Sequence, residues 1–265
     1  MQRHQIMSIA FAFVLLIASA TTARAVLVEV HELPEGAQPY SVAPQAFGRV
    51  WYTAQGQGAL GIIDPATGEV EHIEIGENSV PKVVLEGPDR AAWIVDSGLN
   101  AIVRVDPSLQ EVKAWPLPDD RADSGLADAI FDDEGQLWFT GEAGIHGRFD
   151  PSSGEMEVFD APGRHGAHGI ALTPDGDVYY ASPGGHHIVR VDRASGNAEV
   201  IEPPTPGQGA RDVAADTQVA SGSARKAPAR SAAIIRGRAN GRRGWCRARR
   251  RAPMPFMWTT AMWCG

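Results

Sequence analysis

The chain has 265 residues, 43% of them hydrophobic and 21% charged, a globular composition that excludes a wholly disordered or collagen-like polypeptide. The net charge of −8 is unevenly placed: none of the 32 acidic residues and eleven of the 24 basic ones lie from Gln218 onward, leaving about −19 before that point and +11 after it. Both cysteines, Cys246 and Cys264, also lie in this tail, so the body is built without disulfides, a Cys nucleophile or a Cys-based zinc site.

Residues 1–25 read as a secretory signal peptide. Arg3 and His4 precede an uncharged apolar run from Ile6 to Ala20, and Ala23-Arg24-Ala25 has the small-x-small form of a cleavage site. The run is shorter than the roughly 20 apolar residues of a membrane span, so no span is expected after cleavage. The predicted location is secreted or periplasmic. Val28 to Pro34 matches the last strand of each later repeat, which suggests an amino-terminal strand completing a last blade.

Repeats follow at 39–75, 81–117, 126–159 and 167–201. Each contains short apolar runs bounded by Asp, Gly, Ser and Pro, which are strand and hairpin signals. Trp51, Trp93, Trp138 and Tyr179 are spaced 42, 45 and 41 residues apart, and Asp64, Asp106, Asp150 and Asp192 are spaced 42, 44 and 42 apart. Two independent anchors share one period, and a four-stranded unit of that length is a β-propeller blade. The predicted fold is all-β, a propeller of four-stranded antiparallel blades spanning 26–217. The Trp residues are assigned to inter-blade core, and the Asp-Pro pairs to turns.

A fifth repeat opens at Ala210 and breaks off after Asp216, so about four and a half blades are encoded. Residues 218–265 form a basic, Arg/Ala/Gly/Pro-rich tail to which no fold is assigned. Such a tail normally raises nucleic acid as a partner. In an exported acidic body none is expected, and the abrupt change inside a repeat reads as an out-of-frame segment rather than a genuine tail.

The repeats resemble those of the virginiamycin B lyase (streptogramin lyase) family. The residues that carry the resemblance are Pro39-Tyr40-Ser41-Val42, Ala167-His168-Gly169-Ile170, Gly135-Gln136-Leu137-Trp138-Phe139-Thr140, Asn100 to Pro107 and Asp64-Pro65-Ala66-Thr67-Gly68-Glu69-Val70. The resemblance implies a seven-bladed ring, of which 26–216 supplies only part. It also implies an elimination reaction that linearises type B streptogramin antibiotics, in which a base removes a proton from carbon while Mg²⁺ polarises a carbonyl. The family's catalytic His and Glu belong to its last blades, which have no counterpart here, so an inactive product is expected.

Candidate site residues recur at one place in the repeat. Tyr40, Lys82, Asp128, His168 and Arg211 each stand at the start of a first strand, where a propeller would ring one mouth of its central channel. A small-molecule or peptide-like ligand would be held there by Tyr40, Lys82, Asp128 and Arg211, although residues at strand starts are often polar merely because they are solvated. His168, in the match to the family's catalytic-type motif, is the candidate base; a channel-lining, water-satisfied His is the other reading. Asp96 and Glu142, near the family's carboxylate position, are the candidate oxygen ligands for Mg²⁺. His186-His187 diverge on a strand and are not expected to share a metal. Two other functions stay open: a non-catalytic extracellular propeller that binds a ligand or protein, and a gluconolactonase-like hydrolase.

Overall fold

The computed structural model describes residues 28–203, 206–207 and 209–215, together with the strands Ala232–Ala239 and Arg242–Arg249. The signal-peptide expectation for residues 1–25 lies outside the described residues. Within them no helix is long and apolar enough to cross a membrane.

Four antiparallel four-stranded sheets follow one another along the chain, each a simple meander. Blade 1 comprises β1 (Pro39–Pro44), β2 (Val50–Ala54), β3 (Ala59–Ile63) and β4 (Val70–Glu74). Blade 2 comprises β5 (Pro81–Glu86), β6 (Ala92–Asp96), β7 (Ala101–Asp106) and β8 (Glu111–Pro116). Blade 3 comprises β9 (Leu126–Phe131), β10 (Leu137–Gly141), β11 (Ile145–Phe149) and β12 (Met156–Asp160). Blade 4 comprises β13 (Ile170–Leu172), β14 (Val178–Ser182), β15 (His187–Val191) and β16 (Ala198–Ile201). The first strands stand side by side, β1 by β5, β5 by β9, β9 by β13 and β13 by β17 (Asp212–Ala215), so they form the innermost layer of the stacked blades.

The turn chemistry is as the sequence predicts. Asp64, Asp106, Asp150 and Asp192 each accept a backbone N–H two or three residues on, at 2.8–3.0 Å, and so close the bend between the third and fourth strands. At Gly68, Gly154 and Gly196 this bend needs positive φ, 73–79°, which glycine adopts freely; in blade 2 Gln110 takes the same kind of conformation at φ 52°.

The core lies between blades rather than within them. Strand alternation sends Trp51, Trp93 and Trp138 toward the following blade and Ile94, Phe139 and Tyr180 back toward the preceding one. One cluster joins Trp51, Leu60 and Ile62 to Val84, Ile94 and Val103; the next joins Trp93 and Ile102 to Ala129, Phe139 and Phe149; a third joins Trp138 to Ile170, Tyr180 and Val189. Each such buried side chain contributes about 1.5–3 kcal/mol. The indole N–H groups of Trp93 and Trp138 donate to Asp89 and Asp132 in the hairpins beside them, at 2.9 and 2.8 Å, which removes the cost of burying them. The indoles are therefore structural, as the repeat position implies.

Two segments depart from the sequence reading. Residues 28–34 form no strand: Val28 and Val30 are exposed, and Leu33 packs with Tyr52, Ala54 and Ile63 of blade 1 instead of entering a ladder. The basic segment, to which no fold was assigned, holds β18 (Ala232–Ala239) and β19 (Arg242–Arg249), with β18 pairing to β17 and to β19. One edge of β17 offers backbone donors and acceptors to a partner strand, and the register of β18 and β19 sets Ala239 opposite Arg242.

Among the described residues nothing packs on the outer side of blade 1 at Val42. Val42, Val84, Ala129 and Ile170 occupy equivalent places, opposite Tyr52, Ile94, Phe139 and Tyr180. Val84, Ala129 and Ile170 are at most 8% exposed, whereas Val42 is 69% exposed with Phe47 fully exposed nearby. The purified protein is expected to bind a hydrophobic dye such as ANS, with weaker binding in Val42→Lys. Val42→Lys is expected to change unfolding stability by less than about 0.5 kcal/mol, and Val84→Lys to lower it by about 3 kcal/mol or more, in urea titrations. Equal losses from both substitutions would show that blade 1 is covered.

Candidate functional site

The strand-start residues lie together along the innermost layer. Tyr40 and Lys82 are the second residues of β1 and β5, Asp128 is the third of β9, and His168 and Arg211 stand just ahead of β13 and β17. The Lys82 ammonium sits 5.0 Å from the centre of the Tyr40 ring. Asp128 reaches into the next blade, where one carboxylate oxygen accepts the Ile170 N–H at 3.1 Å, while the other accepts the Ala129 N–H at 2.8 Å. The Arg211 guanidinium donates to His168 Nε2. Two further carboxylates complete the cluster: Glu142 Oε1 lies 3.2 Å from Arg211 and 3.4 Å from His168 Nε2, and Asp212 Oδ1 lies 3.9 Å from His168 Nδ1.

Backbone contacts between blades fix these positions. Thr53 Oγ1 donates to the Lys82 carbonyl at 2.9 Å, and Thr140 Oγ1 donates to the His168 carbonyl at 2.5 Å, so a second-strand Thr of one blade pins the rim residue of the next. Gly169 N–H donates to the Arg211 carbonyl at 2.8 Å, and a Cβ at Gly169 would stand 2.7 Å from Asp212 Cα. The glycine after His168 is thus a close-approach residue that brings Arg211 and Asp212 against the imidazole. The two Thr clamps and Asp212 were not singled out from the sequence. The Trp-x-Thr recurrence at Trp51 to Thr53 and Trp138 to Thr140 is the signal that points to the clamps.

His168 is 9% exposed, and burial lowers its pKa. The positive charges of Arg211 and Lys82 push the same way, and Glu142 and Asp212 oppose them only in part. The ring is neutral near pH 7. Because a guanidinium has only donors, Nε2 is the acceptor and the proton is assigned to Nδ1, facing Asp212. The lone pair a base would use is already engaged. Asp128 shows the opposite effect of burial, its pKa being pushed up to about 6 by desolvation with help from the Asp212 charge, against two backbone N–H bonds.

The metal pair is corrected by the geometry. Asp96 is fully buried; one oxygen accepts the N–H groups of Val80, Gly98 and Leu99, each at 2.9 Å, and the other accepts the Ser79 hydroxyl. It clamps the loops of its own blade and has no lone pair turned toward a cation. Glu142 is held by the Arg211 guanidinium, a positive charge where a metal would have to stand. Among the described residues no group of three or more His, Cys, Asp or Glu side chains is arranged to hold a metal. Asp96 and Glu142 therefore do not fit Mg²⁺. His186 lies exposed in the turn ahead of β15, and His187, the first residue of β15, is buried.

Two measurements check these assignments. Asp96→Ala, which strands three backbone donors, is expected to cost about 3 kcal/mol or more in urea unfolding, against less than about 1 kcal/mol for Glu142→Ala at its 60% exposed site. Because the folded pKa of Asp128 lies above the ordinary 3.8, the native state keeps a proton that the unfolded chain has lost. Its contribution to stability is present below about pH 4 and is lost as pH rises through about 6. The stability difference between wild type and Asp128→Asn is expected to fall over that window and to be flat above it; a difference independent of pH would overturn the shift.

The virginiamycin B lyase family model matches residues 20–224. No curated protein sequence matches the chain. A catalytically inactive histidine-to-alanine variant of virginiamycin B lyase from Staphylococcus aureus, crystallised with quinupristin, superposes with a TM-score of 0.69 at 18% identity, over 84% of this chain and 69% of that one. Selenomethionine-substituted virginiamycin B lyase from the same organism gives 0.65 at 20% identity, over 85% and 73%. Regucalcin, a calcium-binding protein from Agrobacterium tumefaciens, gives 0.56 at 15% identity, over 80% and 70%. At these identities the structures share a fold and nothing finer. With four meander blades in register and a family match over most of its length, the chain belongs to the virginiamycin B lyase family.

Proposed function

We propose that this chain is an exported propeller of the virginiamycin B lyase family that holds a small, peptide-like ligand at its rim without linearising it. The observation that carries the reading is the state of His168. Its Nε2 lone pair accepts from Arg211, and burial, helped by the charge of Arg211, lowers the pKa of the imidazole. A base needs a free lone pair within reach of the proton it takes. Family-type elimination also draws on Mg²⁺ to stabilise the charge that develops on a carbonyl, and of the carboxylates around this imidazole Glu142 is paired with Arg211 while Asp128 accepts two backbone N–H groups.

The same rim suits binding. Tyr40 offers a half-exposed ring, while Lys82, Arg211, Glu142 and Asp212 offer donors and acceptors of both kinds for amide and ester groups. Export rests on the charged start, apolar run and Ala-x-Ala sequence of the first 25 residues.

The test is incubation of the purified chain with a type B streptogramin and Mg²⁺, followed by reversed-phase chromatography. The expected result is retention of intact antibiotic with no ring-opened product, together with saturable binding by calorimetry. Turnover that is abolished by His168→Ala would overturn the non-catalytic reading. Absence of binding would overturn the rim as a ligand site.

A further inference from the structure

We propose that the joint between blades 3 and 4 opens in mild acid, with the buried imidazole of His146 as the trigger, and that this opening parts Glu142 of blade 3 from His168 of blade 4. The proposal does not depend on what the rim binds.

The trigger departs from the repeat. The registers opposite Thr53, Val95, Thr140 and Ala181 place Leu60, Ile102, His146 and Ile188 at one equivalent position of the third strand. The three aliphatic residues are buried in the packing clusters, as the stacking of one sheet on another requires. In blade 3 the place is taken by a titratable ring, 1% exposed, stacked on Phe159 at 5.3 Å and lying 5.4 Å from the Tyr180 ring of the next blade.

Its hydrogen bonding fixes where an added proton goes. His146 Nε2 faces the Gly196 carbonyl of blade 4 at 2.9 Å, and a carbonyl only accepts, so Nε2 carries the hydrogen and Nδ1 is the bare acceptor. Among the described residues the buried Nδ1 has no hydrogen-bond partner, and neither has the Tyr180 hydroxyl, which stays neutral because burial raises its pKa. A proton taken at Nδ1 would set a full charge between the two blades, among aromatic rings. The charged groups around the joint are already engaged. Asp160 holds Arg121 and Arg164, and Arg148 is spent on Glu157 and the Arg193 carbonyl. The Arg193 side chain pairs with Asp132 and Asp133, and Asp192 accepts from Ser195. Burial accordingly holds the imidazole pKa below its ordinary 6.5, against the Gly196 carbonyl and the Asp160 charge.

The same joint shapes the rim. Across it Thr140 donates to the His168 carbonyl, Asp128 accepts the Ile170 N–H, and Glu142 lies 3.4 Å from His168 Nε2. Because the folded pKa of His146 lies below 6.5, the opened chain takes the proton first. The stability that the neutral ring gives the joint is whole above about pH 6.5 and is lost as pH falls through the folded pKa. Asp128 acts in the opposite direction between about pH 4 and 6, and His168 and His72 act in the same direction as His146, so only a comparison of variants at His146 isolates its part.

Hydrogen exchange followed by mass spectrometry, expressed as protection factors at about pH 7.5 and about pH 5, reads the opening of each blade. Between these pH values the protection of β11 and β14 is expected to fall about tenfold more in wild type than in His146→Gln, whose amide keeps an N–H for the Gly196 carbonyl but takes no proton. Strands β3 and β7 are expected to change alike in both proteins. His146→Leu, matching Leu60 of blade 1, is expected to behave as His146→Gln does and replaces it if that variant does not fold. Acid sensitivity of β11 and β14 that is the same in wild type and in the variants would overturn His146 as the trigger. A loss that the variants suppress equally in β3, β7, β11 and β14 would overturn an opening confined to this joint.

Discussion

The joint between successive blades is the constraint on which the rest of the structure depends. A single blade is a twisted four-stranded sheet with apolar side chains on both faces, and it buries them only against a neighbour. The second strand does most of this: Trp51, Trp93 and Trp138 press forward onto the next blade, while Ile94, Phe139 and Tyr180 press back. The joint repeats with the period of the sequence because one blade can only stack on another if the same faces meet each time. It also sets the site, since the rim residues lie where the first strands are brought side by side.

Polar contacts between blades occur far from the mouth, as at His146 and Gly196 or Arg193 and Asp133, and also at it. Thr140 pins the carbonyl of His168, Asp128 accepts the N–H of Ile170, and Gly169 donates to the carbonyl of Arg211. Each crosses from one blade to the next, so the rim is shaped by contacts between blades rather than by a loop of its own. Side chains on such a frame can differ from blade to blade without touching the packing, which is how five unlike residues, Tyr40, Lys82, Asp128, His168 and Arg211, come to share one mouth.

The architecture was legible because its causes are local. Asp-x-x-x-Gly turns and aromatic second strands act within a few residues, and their period carries strand order and core together. The positions of the rim residues were legible for the same reason. What each rim residue does was not. That His168 accepts from Arg211 depends on residues 43 apart in sequence, and that Asp96 is sealed under Ser79, Val80, Gly98 and Leu99 depends on how two loops of one blade close. A carboxylate at a familiar motif position looks the same in sequence whether its lone pairs are free or spent. The strands β18 and β19 were obscured in another way: a composition heavy in Arg hid Ile234-Ile235.

The meander order of the sheets has a kinetic side. Within every described blade each strand pairs with the strand next to it in sequence, and each blade packs on the blade next to it in sequence. Among the described residues the blade-to-blade contacts join sequence neighbours, so loop-closure entropy stays small and folding can begin at any blade and spread in either direction. An array assembled this way has no single step at which its blade number is counted. A shorter or longer run of repeats folds by the same events.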